Sequence, residues 1–126
     1  MNTKGLFTFA AVYGFLNALG ALFNPQGFLG VFGLEANPSA QLSTQYFGMA
    51  VLGAAVVTWV ARGTTDATTQ RALLWGNVVT FAVGVVLNSL GMSQGLLGSR
   101  VWFFNGVDFI LGVIFAYFLY RVSRRK

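Results

Sequence analysis

The sequence predicts an all-α fold, a four-transmembrane-helix bundle, and three observations predict it. Four apolar stretches each approach the length of about 20 residues that crosses the hydrocarbon of a bilayer. Short breaks rich in Asn, Pro, Gly or Arg separate them. Finally, 9% of the 126 residues are charged and 56% are hydrophobic, where a soluble domain carries roughly a quarter charged. So few charges cannot cover a water-facing surface, and most of the surface is expected to meet lipid.

The first helix is expected over about residues 5–23, ended by Asn24-Pro25. Lys4 and the apolar run behind it, with Ala18-Leu19-Gly20, have the look of a secretory leader. The run is longer than a leader core, so it reads as a spanning helix. Segment 25–35 is apolar but too short and glycine-rich to span. It is expected to be an interfacial loop that lies flat in the outer interface or dips into it. The other reading is a loop whose phenylalanines cover the bundle's outer end.

The second helix is expected over 38–62, with Asn37 as N-cap and Pro38 in the first turn. Arg62-Gly63 supplies its stop. The third, 67–90, starts after Asp66 and gives way to a loop marked by Gly91, Gly95 and Gly98. The fourth, 100–121, ends in the basic tail Arg121, Arg124, Arg125 and Lys126. These runs are unbroken rather than alternating, which argues against barrel strands. Residues 1–126 are therefore expected to form a single transmembrane domain.

Basic residues give the orientation. With the N-terminus inside, the cytoplasmic side holds Lys4, Arg62, Arg71 and the four tail residues, and the far side holds Arg100. That bias of seven to one places both ends in the cytoplasm, an N-in/C-in topology. Trp59, Trp75, Tyr117 and Tyr120 then fall near the inner interface, and Tyr46 and Trp102 near the outer one. The expected location is multi-pass, in a bacterial plasma (inner) membrane. The net charge of +5 sits largely in the tail, where it suits anionic headgroups and not nucleic acid. With no cysteine and no histidine, thiol chemistry and histidine-ligated metals are excluded, and no cofactor is expected.

Leu16-Asn17-Ala18-Leu19-Gly20 in the first helix is echoed by Leu87-Asn88-Ser89-Leu90-Gly91 in the third. The echo suggests two related helical hairpins around an axis along the membrane normal; chance matching of apolar sequence is the other reading.

Asp108 is the one acid inside an apolar run, seven residues into the fourth helix, or roughly 10 Å deep at the helical rise. A carboxylate there is costly unless paired or hydrogen-bonded, so it is expected to face the interior. Asp108, Gly112 and Ala116 form a small-residue stripe suited to helix packing. Asn105 lies one turn away. Asn17, Gln45, Tyr46 and Asn88 come from the other helices at comparable depth. Two readings stand: a polar pocket for a small molecule or headgroup, or side chains that only satisfy one another between helices. The stripes Ala10-Gly14-Ala18 and Gly76-Thr80-Gly84-Asn88 serve packing within the monomer or a homodimer contact.

The Asn24-Pro25 break, the following Phe32-Gly33-Leu34 and the late patch Gly106-Val107-Asp108 resemble the small four-helix membrane proteins grouped as DoxX-like, many without known function. The resemblance covers most of the chain and implies a fold more than an activity. Small multidrug-resistance transporters carry a glutamate in helix one, which this chain lacks.

Three function classes follow. The first is a non-enzymatic accessory or binding protein that recognises a lipid, an apolar small molecule or a larger membrane complex. The second is a small proton- or cation-coupled transporter or channel using Asp108. An enzyme is the weakest, because one carboxyl among amides supplies no nucleophile–base pair, metal set or phosphate loop.

Overall fold

The computed structural model describes residues 2–124, so Arg125 and Lys126 of the basic tail lie outside the described residues. The described residues form five α-helices and no strand: α1 (Thr3–Phe23), α2 (Pro25–Val31), α3 (Pro38–Ala61), α4 (Ala67–Ser93) and α5 (Val101–Ser123). The four long helices, of 21, 24, 27 and 23 residues, are long and apolar enough to cross a membrane. Large apolar side chains stand outward along them: Phe23 is 82% exposed, Val60 76% and Phe103 72%. Each would cost about 2 kcal/mol in water relative to burial, so this surface suits hydrocarbon.

Local sequence sets where helices begin. Asn2, Asn37 and Asp66 each accept from a backbone N–H three residues on, those of Gly5 (2.8 Å), Ala40 (2.9 Å) and Thr69 (2.6 Å). Such a cap contributes about 1 kcal/mol. The Asn2 cap starts α1 at Thr3, two residues before the sequence-based boundary.

Segment 25–35 was expected to be a loop, but Pro25–Val31 within it is helical. Asn24 closes α1 through its N–H to the Gly20 carbonyl (3.0 Å), and its side chain accepts from Gly27 N–H (3.1 Å). One residue thus ends a helix and caps the next, with Pro25 preset for the first turn. A Cβ at position 27 would meet the Asn24 amide, so the capping side chain would have to shift. The helix packs on α1 and α3, as the reading in which its phenylalanines cover the end of the helices expects. Leu29 is buried, and the Phe28 ring sits 5.9 Å from Phe47 on α3.

Two helices end in the same way. Gly33 (φ 73°) and Gly95 (φ 70°) adopt the left-handed conformation after α2 and α4. Leu34 N–H then returns to the Leu29 carbonyl (3.0 Å) and Leu96 N–H to that of Gly91 (2.8 Å). These are Schellman closures, which satisfy carbonyls that a helix end leaves unpaired. The second moves a boundary: Gly91, expected in a loop, lies inside α4, which runs on to Ser93.

The chain divides into two compact units, Met1–Gly63 and Thr64–Lys126. In the first, α1 and α3 pack antiparallel and α2 covers part of both. In the second, α4 and α5 pack antiparallel. At helix ends the arginines fold onto aromatic rings, Arg62 at 3.7 Å over Trp59 and Arg124 at 4.4 Å over Tyr120. Such pairs keep the charge at the end of the apolar span.

Candidate functional site

The six residues singled out from sequence fall three to each unit. In the first unit, Asn17 is half-buried and bonds its own helix, its amide donating to the Tyr13 carbonyl (2.8 Å). Gln45 reaches across, its Nε2 donating to the Leu22 carbonyl in the last turn of α1 (3.2 Å). That carbonyl is one the helix end cannot pair internally, so Gln45 ties α3 to α1. Tyr46 stands outward, 60% exposed. Backbone satisfaction within a helix is a repeated solution: Thr44, Thr58, Asn77 and Thr80 all donate to the carbonyl four residues back at 2.8 Å. In an apolar surrounding this removes most of the cost of carrying a polar side chain.

The second unit carries the stronger arrangement. Asn105 is 7% exposed, and its Nδ2 donates to Ser89 Oγ on α4 (3.0 Å). Its Oδ1 is buried with no hydrogen-bond partner among the described residues. An orphaned buried acceptor costs about 1–3 kcal/mol. Asn88, the neighbour singled out from sequence, is half-buried and lies about 100° around the helix from Ser89. Ser89 is the residue the sequence reading missed. An alternation of small and large residues gave no signal for choosing it over Asn88.

Asp108 is half-buried and turned toward α4, its Oδ2 3.7 Å from where a Cβ on Gly84 would stand. From Asp108 an open groove of about 300 Å³ runs along the hairpin. Val78, Phe81, Ala82 and Val85 of α4 line it, with Asp108, Phe109, Gly112, Val113 and Ala116 of α5. The stripe Asp108–Gly112–Ala116 thus lies along the groove. Stacked Phe81 and Phe115 rings, 5.6 Å apart, fill the space beside it. At Gly112 the helices approach closely, since a Cβ there would sit 3.4 Å from that of Phe81. The groove is apolar along its length, with one acid at the end nearer the α4–α5 connection.

No protein-family model, curated protein or solved structure matches the chain. The fold and the groove therefore define its class: an all-helical chain with four bilayer-length apolar helices and a carboxyl-headed groove on its second hairpin.

Proposed function

We propose that this is a multi-pass integral membrane protein of a bacterial plasma (inner) membrane, with both termini cytoplasmic. In this reading it is a non-enzymatic binding protein of the DoxX-like kind, and its ligand is a lipid or an apolar small molecule held in the α4–α5 groove. The observation that carries the reading is a single acid at the head of an apolar groove on two bilayer-length helices. A concave apolar wall with one well-placed polar group is the usual form of a small-molecule site. The distribution of Lys and Arg supports the topology. The echo between the two hairpins' sequences supports a duplicated origin.

The test is retention of ligand. Protein extracted gently from membranes should carry a co-purifying lipid or apolar molecule, seen by native mass spectrometry. Filling the groove with Ala82→Phe, at an exposed wall position, should remove it. Equal retention by the variant would remove the reading. Topology is checked by labelling in whole cells, which is direct because the chain has no cysteine of its own. Ser99→Cys should react from outside and Ser123→Cys should not. An Asp108-dependent proton or cation flux in proteoliposomes would turn the binder into a carrier.

A further inference from the structure

Resting on the groove and topology readings above, we infer that the occupant is an anionic phospholipid of the cytoplasmic leaflet. One acyl chain lies in the α4–α5 groove, and the phosphate sits with Arg71 and Arg124 at the groove's Ala116 end.

Both helices build that mouth. Gly84 stands opposite Asp108 and Phe81 opposite Gly112, which fixes the antiparallel register of α4 on α5. Continued toward the start of α4, the register brings Trp75 level with the turn of Tyr117 and Tyr120. Arg71 then comes level with the turn that holds Arg121 and Arg124. Each wall leaves the groove through the same two kinds of side chain. On α5, Ala116 is followed at four-residue steps by Tyr120 and Arg124. On α4, Val78 is preceded by Trp75 and Arg71, three and seven residues back. Such spacings keep side chains on one helix face, and all four of these are exposed.

Charge and depth choose the head. Tyrosine and tryptophan belong at the level where headgroups meet hydrocarbon. The Arg124 guanidinium does not reach past the helix end but lies 4.4 Å over the Tyr120 ring, a turn back toward the apolar span. Arg71 spends its Nε on the Ala67 carbonyl (3.2 Å), one of the five donors of its group. Guanidinium forks match phosphate oxygens. The acid at this end, Asp66, is committed to the Thr69 hydroxyl and N–H. Arg121, and Arg125 and Lys126 in the sequence, add to the positive side. A head that carries its own ammonium or choline would bring a like charge to this mouth; a head with net negative charge is its complement.

Shape decides the chain. From Ala116 to Asp108 the groove follows α5 for about 12 Å, between apolar walls that include Val78, Ala82 and Val113. One medium-length stretch of acyl chain fits that run. Asp108 bounds its far end, and recognition of the head does not draw on it.

The experiment takes the full chain, stripped of lipid in mild detergent, and titrates it with phosphatidylglycerol or phosphatidylcholine of identical chains. Bound lipid is counted by native mass spectrometry. The first phosphatidylglycerol should bind about tenfold more tightly than phosphatidylcholine. Arg71→Gln with Arg124→Gln should bring the two lipids to within about twofold. Arg125→Gln with Lys126→Gln, an equal loss of charge in the tail, should leave most of the preference. Ala82→Phe should weaken both lipids alike and keep their ratio, because it blocks the chain and not the head. If Ala82→Phe fails to elute as a helical, monodisperse species, chain length serves instead. Affinity should rise as the chains lengthen and level off once one reaches the Asp108 end. The deacylated head, glycerophosphoglycerol, should not compete. Equal affinity of the wild-type chain for the two lipids would overturn the anionic head and leave the groove as a binding site. Equal losses from the two double variants would overturn the Arg71–Arg124 site by reducing the preference to general charge attraction. Competition by the deacylated head, or an affinity that neither Ala82→Phe nor chain length alters, would overturn the placement of the chain. The groove reading itself falls only if Ala82→Phe also retains the co-purified ligand.

Discussion

In the α1/α3 hairpin the helices approach closely at glycines and alanines, with Phe15 edge-on to Trp59 elsewhere along the pair. A Cβ on Gly14 would lie 3.0 Å from that of Ala55, and one on Gly48 would lie 3.0 Å from that of Ala21 and 3.2 Å from the Ala18 carbonyl. In the α4/α5 hairpin a phenylalanine pair fills the contact, with Gly112 as the local close approach. The first arrangement brings backbones together at Gly14 and Gly48. The second holds part of the pair apart, and the groove with Asp108 lies in that space. Small-residue packing gains stability through many close dispersion contacts. Aromatic packing gives up some of these contacts and gains a concavity. The same helical hairpin is thus built once for cohesion and once for access.

Substitutions at matched glycines give the largest test of that contrast. Gly48→Leu should cost about 3 kcal/mol or more, because overpacking here meets backbone as well as side chains. Gly84→Ala, whose Cβ would find only ordinary contact at 3.7 Å, should be neutral or stabilise by up to about 1 kcal/mol. Denaturing-detergent titration of both variants measures this. Similar losses at the two positions would show that the hairpins are packed alike.

A smaller effect is expected at the buried pair of the second hairpin. Ser89→Ala should cost about 1–2 kcal/mol, since it strands the Asn105 amide as well as its oxygen. Adding Asn105→Leu should recover most of that loss, because two apolar groups need no partner. If the double variant is worse than the single one, the Asn105 oxygen is satisfied in the folded protein.

The smallest effect lies outside the four long apolar helices. The Asp66 carboxylate accepts from the Thr69 hydroxyl (2.6 Å) and from the Thr69 N–H. These bonds, the hydroxyl first, hold its pKa below the ordinary carboxylate value. A depressed folded-state pKa contributes stability at pH above the unfolded value. That contribution is lost as pH falls through the folded value, in the acid range below the ordinary carboxylate pKa. Amide exchange at Thr69 should therefore accelerate on acidification there. Asp66→Asn keeps a capping side chain and should flatten the response; an unchanged profile would remove Asp66 as its source.

Local chemistry was easily read along the chain. Asn37 with Pro38, and Asp66, announced two helix starts because a cap is decided within a few residues. Segment 25–35 was misread because Asn24-Pro25 was taken only as the stop of the first helix. The same pair is also a cap and first-turn proline, and glycine at position 27 makes room for it. The polar cluster was read in part. Asp108 and Gly112 do share the groove, but Asn17 turned to its own backbone, Tyr46 turned outward and Ser89 took the contact with Asn105.

By itself the sequence determined the number, lengths and apolar character of the long helices, because bilayer thickness and backbone self-satisfaction act on each segment separately. Only the tertiary structure decided which polar side chains cross between helices and where a groove opens. Those outcomes depend on helix rotation to within a fraction of a turn. That rotation is set by contacts such as Gly112 against Phe81, whose partners lie far apart in the chain.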